Sequence, residues 1–486
     1  MNYLKLLWDL AALKGNEKKD PFQIQALQEK KLRKLLRYAY KYSPYYRDAF
    51  TQAGITEKEL DTAPLSAFPT LDKAGLIGSF DRLITISNLT QEELRRFDAE
   101  ETTDRKPYLG RYHVIHSSGS TGKPGYFLYD DRAWGQMLLG IIRGALWDMS
   151  MPEILRFLRD GPRIAYIAAT DGRYGGTMAV GDGIEGLRCE QIHLDIKTPL
   201  NEWIRQLKEF RPNTIIGYPS AIEILAGLVS GGKLELSLVR IISCGEPLTS
   251  GLRQHLEKTF GVGVVNFYGA SESLALGVET DPSEGIFLFD DMNIIERAPD
   301  GIYLTCLYNF AQPLIRYKLS DSLAIQPPLD KYPFRRAVGL LGRCEDLLWF
   351  ENDAGVREFL HPLAVEGFCI EGLLNYQFRQ TSSRSFEMLA ETVSAASQAT
   401  IQTEMLRQMR DILTEKGLAY VDFHVRFVSR IPPIPRRERN VSSSKTERKG
   451  VLRYEEYAVA GGKSLQDLCA GRQPSHRTGS HRCGHF

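Results

Sequence analysis

Residues His116-Ser117-Ser118-Gly119-Ser120-Thr121-Gly122-Lys123-Pro124 crowd hydroxyls, two glycines and a lysine into one short stretch. Glycines let backbone N–H groups turn inward as an anion-binding nest, and the hydroxyls and ammonium add further donors. The chemistry such a loop suits is the cradling of a polyphosphate. It does not fit the P-loop of kinases and ATPases, which needs Gly-x-x-x-x-Gly-Lys-Ser/Thr opening a helix. Here Ser117 stands in the place of the first glycine, Pro124 follows the lysine, and Tyr126-Phe127-Leu128-Tyr129 reads as a strand. The predicted setting is a loop between strands, with no helix dipole beneath it. An ordinary Gly/Ser turn has a similar composition, so the reading rests on what lies elsewhere in the chain.

Three distant segments carry compatible chemistry: Asn266-Phe267-Tyr268-Gly269-Ala270-Ser271-Glu272, Pro313-Leu314-Ile315-Arg316-Tyr317-Lys318-Leu319-Ser320-Asp321, and Gly342-Arg343-Cys344-Glu345-Asp346. In this order and spacing they resemble the adenylate-forming superfamily of acyl-CoA synthetases, carrier-loading adenylation domains and luciferases. Residues 35–47, with Tyr38, Tyr40, Tyr42, Pro44, Tyr45 and Tyr46, resemble its phenylacetate-CoA ligase branch. The resemblance runs from about Ala26 to the region of Lys445.

The resemblance implies ATP, Mg²⁺ and coenzyme A, or a carrier protein's phosphopantetheine, as cofactors. The carboxylic acid substrate becomes acyl-AMP and is then passed to a thiol. Coenzyme A is the leading acceptor and an acyl carrier protein the alternative. By the same resemblance Ser117, Ser118, Gly119, Ser120, Thr121, Gly122 and Lys123 take the phosphates that leave as pyrophosphate. Tyr268 stacks on adenine, Gly245, Glu246 and Pro247 line the adenine pocket, and Asn266 and Gly269 flank it. Ser271, in place of the usual threonine, reaches the α-phosphate. Glu272 is the magnesium ligand, a role for which one or two carboxylates suffice. Asp321 grips the ribose hydroxyls, and Arg316 or Arg343 adds positive charge near the nucleotide. Tyr174, Gly217, Tyr218, Pro219 and Ala270 form the acyl pocket, suited to an aromatic or other flat acid. Glu345 is the hinge. The catalytic lysine is expected at Lys445, with Lys449 the alternative, because Ser444 replaces the usual glycine. A non-catalytic nucleotide-binding protein is the competing class, since Ser271 and Ser444 both depart from the pattern. Residues 274–278 carry no cysteine, so a structural zinc is not expected.

The elements that must position these groups follow from pattern. The chain has 486 residues, enough for two domains. Short apolar strands are expected at 163–169, 214–216, 239–243 and 262–267. Helices are expected at 201–210, 220–229 (capped by Ser220) and 249–260. This alternation indicates a parallel sheet with crossover helices. Ligands of such sheets lie beyond the strand C-termini; residues 217–219, 244–247 and 268–272 all fall there.

Beyond residue 342 the texture changes. Strands at 347–350 and 356–360, a helix at 403–415 and a strand at 419–428 give a small α+β unit. The expected organisation is a large α/β domain over 1–343, a mobile α+β domain over 344–460 and a disordered tail over 461–486.

The net charge of +1 gives no global field for nucleic acid. No apolar run reaches the length of a membrane span. Residues 26–42 form a basic amphipathic helix, expected to pack on the main domain, although such helices also lie on membranes. The seven scattered cysteines fit a reduced, cytoplasmic setting. Monomer and homodimer are not distinguished by sequence.

Overall fold

The computed structural model describes residues 3–99, 106–117, 125–170, 175–181, 189–298, 301–319, 321–341, 348–351, 357–360, 370, 373–392, 398–431 and 451–454. An antiparallel hairpin pairs β1 (Tyr112–His116) with β2 (Tyr126–Asp130). The loop expected to hold phosphate therefore leaves one strand and enters another, as the sequence suggested. A nine-stranded sheet follows. Its parallel half comprises β3 (Arg163–Ala168), β4 (Glu190–Asp195), β5 (Thr214–Gly217), β6 (Arg240–Cys244) and β7 (Val264–Ala270), in the spatial order β4-β3-β5-β6-β7. Helices Leu200–Phe210, Pro219–Ser230 and Ser250–Phe260 fall where the apolar periodicity placed them.

Each strand sends alternate residues to opposite layers. Ile241 and Val264 enter a core with the crossover helices, whereas Ile242, Val265 and Phe267 enter one shared with the N-terminal helices and the hairpin. Thr249 caps the helix Ser250–Phe260 by accepting from the Leu252 amide at 3.2 Å. Ser220 is not a cap: Pro219, with its fixed φ, starts the helix one residue earlier. The Ser220 hydroxyl instead donates to Glu246 Oε2 at 2.7 Å.

The large sheet is parallel-rich, as expected, and carries an antiparallel extension that the apolar pattern did not announce. Strands β8 (Ser273–Glu279) and β9 (Ile286–Leu288) extend it antiparallel to β7. A separate three-stranded sheet of β10 (Asn293–Ala298), β11 (Gly301–Cys306) and β12 (Tyr317–Leu319) intervenes in sequence. β13 (Ser322–Gln326) and β14 (Arg336–Leu341) then complete the large sheet beyond β9.

The helix Pro21–Tyr42 opens on a capping box between Asp20 and Gln23, and it buries Ile24, Leu32, Leu35, Leu36 and Ala39 in the main core. Its apolar stripe therefore faces protein. Among the described residues no helix is long and apolar enough to cross a membrane.

Near the C-terminus, β15 (Leu348–Glu351) and β16 (Arg357–Leu360) form a hairpin. β17 (Leu373–Ser382), β18 (Ser385–Thr392), β19 (Asp422–Phe427) and β20 (Val451–Tyr454) form a four-stranded sheet. The helix Gln398–Glu415 buries Ile401, Met405, Met409 and Leu413 in the same apolar cluster as Trp203 and Phe359.

At this junction Lys416 lies wholly buried. Its ammonium sits 3.7 Å from the Phe359 ring centroid, donates to the Thr198 carbonyl at 2.5 Å and pairs with Glu358 at 3.3 Å. Glu358 also accepts from the Leu200 amide at 2.6 Å. Burial pushes the Lys416 ammonium down to about 8, with Glu358 opposing the fall and Asp195 and Glu415 adding to that opposition.

Removing one partner of such a pair strands the other charge. Lys416→Met should cost about 3 kcal/mol of unfolding free energy in urea titration, and adding Glu358→Gln should recover most of it. Between pH 8 and 10.5 the unfolded chain holds the proton that the folded lysine has released. The stability of the native chain should therefore rise relative to Lys416→Met across that window. An unchanged urea midpoint in the single variant would contradict the pairing.

Candidate active site

The strands β5, β6 and β7 and the turns at their C-terminal ends carry half of the site residues singled out by sequence. Gly217 ends β5 and stands where a Cβ would run into the Ile167 carbonyl of neighbouring β3. Tyr218 follows, half-buried, and Pro219 begins the next helix. Gly245, just past β6, has a φ of 81° and faces the Tyr218 ring, to which a Cβ there would approach within 2.6 Å. A side chain at Gly245 would be both strained and obstructed. Glu246 accepts from both the Ser220 amide (3.2 Å) and the Ser220 hydroxyl (2.7 Å), tying the Gly245-Glu246-Pro247 loop to the helix after β5. Pro247 and Asn266 line one cavity of about 420 Å³, together with Leu248, Glu279, Ile286 and Val338.

β7 breaks register with β8 between Tyr268 and Ala270. Such a bulge re-aims side chains at a sheet edge. Gly269 sits at the break, where a Cβ would strike the Leu274 backbone. Ser271 and Glu272 form the turn that follows. The buried Tyr129 hydroxyl on β2 donates to both of their carbonyls, at 3.0 and 2.9 Å. This contact anchors the hairpin that carries residues 118–124 to the turn that carries Glu272. Beneath the loop, the Ser117 amide donates to the Gly125 carbonyl and the Gly125 amide to the Ser117 hydroxyl oxygen, both at 2.9 Å.

The Tyr268 hydroxyl donates to Asp321 Oδ2 at 2.6 Å, joining residues 53 positions apart. Burial, chiefly, and then the Asp321 charge push the Tyr268 phenol well above its usual range. Glu272 is buried, and loss of water drives its carboxyl up to about 7. Asp321 pushes in the same direction; its own backbone amide, the Tyr317 hydroxyl and the charge of Lys73 pull against them. The site therefore combines a desolvated carboxylate and a second carboxylate oriented by a phenol, with the β1–β2 hairpin tied to the turn that carries the first. That set suits a cation bridging to an anionic ligand.

Several expectations fall elsewhere. Ser118–Lys123, Tyr174, Arg343, Glu345, Lys445 and Lys449 lie outside the described residues. Arg316, one of two candidates for added positive charge, is engaged within the protein. Its guanidinium pairs with Glu296 at 3.1 Å and donates to the carbonyls of Ser66 and Phe68, so the chain spends it on holding an N-terminal segment. Tyr129, Tyr317 and Lys73 were not singled out by sequence. Tyr317 lies inside a quoted motif but looks like any strand tyrosine, and Lys73 is 199 residues before Glu272.

No protein-family profile matches the chain. It is 28% identical over 357 residues to phenylacetate-coenzyme A ligase of Aromatoleum evansii, covering 68% of this chain and 73% of that one. It is 22% identical over 442 residues to protein CapK of Staphylococcus aureus, covering 84% and 86%. Among solved structures, a 2-hydroxyisobutyryl-CoA ligase in complex with 2-HIB-AMP and CoA superposes with a TM-score of 0.57 at 19% identity, covering 87% of this chain and 90% of that one. The fold is that of the adenylate-forming ligases. Within that fold, the sequence likeness is to the phenylacetate-CoA ligase branch.

In an adenylate-forming ligase fold a raised carboxylate is a testable quantity. The folded Glu272 value of about 7 lies above its ordinary 4.5. Its contribution to stability is therefore full below about pH 4.5 and is lost as pH rises through 7. Glu272→Gln should melt with the native chain at pH 5 and above it at pH 8, in buffers containing a chelator. Equal melting temperatures at both pH values would contradict the burial of an ionisable Glu272.

Proposed function

We propose that the protein activates a carboxylic acid as its acyl-AMP and transfers the acyl group to the thiol of coenzyme A. The observation that carries this reading is the Tyr268–Asp321 hydrogen bond beside buried Glu272, at the edge of a sheet whose fold is that of adenylate-forming ligases. The likeness to phenylacetate-coenzyme A ligases supports coenzyme A over a carrier protein as acceptor.

In the first half-reaction a carboxylate oxygen attacks the α-phosphorus of ATP and pyrophosphate leaves. In the second the thiol attacks the acyl carbon and AMP leaves. The protein must bring like charges together and hold them in line. We assign Asp321, oriented by Tyr268, to the ribose hydroxyls, and the cavity beside Pro247 and Asn266 to the base. Residues 118–123 are assigned to the phosphates, with Ser271 at the α-phosphate.

Glu272 fits Mg²⁺ on its own chemistry. It is an anionic oxygen donor held out of water, which gains from a cation, and a hexahydrated-type ion needs few protein ligands. Mg²⁺ there would offset the charge of the phosphates. The acyl group is assigned to the space by Tyr218, Gly217, Pro219 and Ala270, with Tyr174 closing it. The unit from residue 344 to 460 is assigned a rotation about Glu345 between the two half-reactions, carrying Lys445 to and from the α-phosphate. A reducing, cytoplasmic setting fits Cys189, Cys244 and Cys306, which are free thiols.

Exchange of labelled pyrophosphate into ATP, across a panel of carboxylic acids, tests the assignment. Acid-dependent exchange is expected, and release of ADP without AMP would replace this reading with a kinase-like one. Tyr268→Phe should raise the KM for ATP about tenfold or more, since a hydrogen bond to a charged group is worth about 1.5–3 kcal/mol. Lys445→Ala should slow exchange while leaving thioester formation from supplied acyl-AMP largely intact. If Lys449→Ala does so instead, the lysine assignment moves by four residues. If both variants exchange at the native rate, the lysine mechanism does not apply to this chain.

A further inference from the structure

The N-terminal helices carry a feature that the ligase chemistry does not use. Residues 1–42 hold ten Lys and Arg against four Asp and Glu, in a chain whose whole balance is +1. The two most exposed large apolar side chains among the described residues are both here: Phe22 is 80% exposed and Trp8 is 78% exposed. Trp8 lies on the helix Tyr3–Asn16, and Lys5, Ala11, Ala12 and Gly15 stand at its i−3, i+3, i+4 and i+7 positions, all exposed. That spacing is one helix face. The opposite face is the one that docks: Leu10, Leu13 and Asn16 are buried, with Asn16 bonded to Asp291 at 2.8 Å. The turn after the helix presents Lys18 and Lys19 to solvent, and Phe22 opens the next helix.

We propose that this face is a docking surface for an anionic lipid bilayer. An exposed tryptophan and phenylalanine flanked by lysines match the interfacial zone, where aromatic rings settle at headgroup depth and ammonium groups meet phosphate and carboxylate. The charge argues against a second copy of the chain. A two-fold contact would set this basic patch against the same basic patch of the partner, whereas an acidic headgroup layer attracts Lys5, Lys18 and Lys19 together. The acids nearby are few: Asp9 is engaged with Lys5 at 2.8 Å, Glu17 with Lys14 at 3.3 Å, and Asp20 caps the following helix. The backbone behind the patch is tied to the main domain: Lys31 donates to the Asp291 carbonyl at 2.6 Å and Gln28 to the Asn293 carbonyl at 2.9 Å. The buried apolar stripe of Pro21–Tyr42 takes no part.

Trp8 also reports the event. Of the other four tryptophans, Trp134, Trp147 and Trp203 are buried and Trp349 is half-buried. The full chain is mixed with vesicles of phosphatidylcholine, with and without phosphatidylserine, and followed by co-sedimentation and tryptophan emission. Binding and a blue shift are expected only with phosphatidylserine, both weakening as salt rises. Trp8→Ala with Phe22→Ala should weaken binding about tenfold or more, with an unchanged melting temperature, since neither residue packs in the core. Absence of binding to the anionic vesicles would overturn the proposal. A concentration-dependent dimer that Trp8→Ala disrupts, without vesicle binding, would overturn it in favour of a second copy.

Discussion

Taking a carboxylate out of water is costly, and a chain that does so at a sheet edge must support it from several directions. Glu272 is that group. Its carboxyl sits near neutrality because burial outweighs the Tyr317 hydroxyl, the local amide and Lys73. Those supports come from widely separated parts of the chain, so the turn at 271–272 is where the architecture converges. β7 delivers it, the bulge at Gly269 re-aims it, Tyr129 of the hairpin holds its carbonyls, and β12 brings Tyr317 against it. A cation arriving there would relieve the same electrostatic cost that the fold imposes. The most costly desolvated group of the site would then be its point of ligand attachment.

The two halves of the sheet divide the labour. The parallel half ends in Gly217, Gly245 and Tyr268, where helix-bearing crossovers leave room beyond the strand ends for a ligand. The antiparallel half and the three-stranded sheet contribute Asp321, which Tyr268 orients across the boundary. The C-terminal unit touches the opposite flank through Lys416 and Glu358, both directed at the turn from Thr198 to Leu200. A rotation of that unit would have to separate a buried ion pair from two backbone groups. Burial has already lowered the Lys416 ammonium to about 8, which eases its loss of a proton.

The parallel strands and their helices were legible because their apolar periodicity is local. Residues 214–217 and 240–244 have little choice but to be buried strands between amphipathic helices. The antiparallel extension from Ser273 to Leu341 was not legible. Its strands are short, and their pairing is decided by partners such as Ile286 against Ala337, which no local pattern announces. Tyr268, Glu272 and Asp321 could be picked from sequence because motif spacing survives without knowledge of contacts. The contacts of Arg316 were not legible for the same reason. A motif says which residue is present, and only the fold shows that its guanidinium turns to Glu296 and the backbone of residues 66–68. Tyr129 and Lys73 act through tertiary proximity alone.

Acyl-AMP formation bonds a carboxylate oxygen to the α-phosphorus of ATP. Oxygen-18 in the carboxyl group of an accepted acid follows that bond directly. With coenzyme A and magnesium present, mass spectrometry of the products should find one labelled oxygen in AMP and none in the inorganic phosphorus products. Label in orthophosphate, with ADP as the nucleotide product, would mean attack at the γ-phosphorus and an acyl phosphate. That result would rule out acyl-AMP formation by this protein.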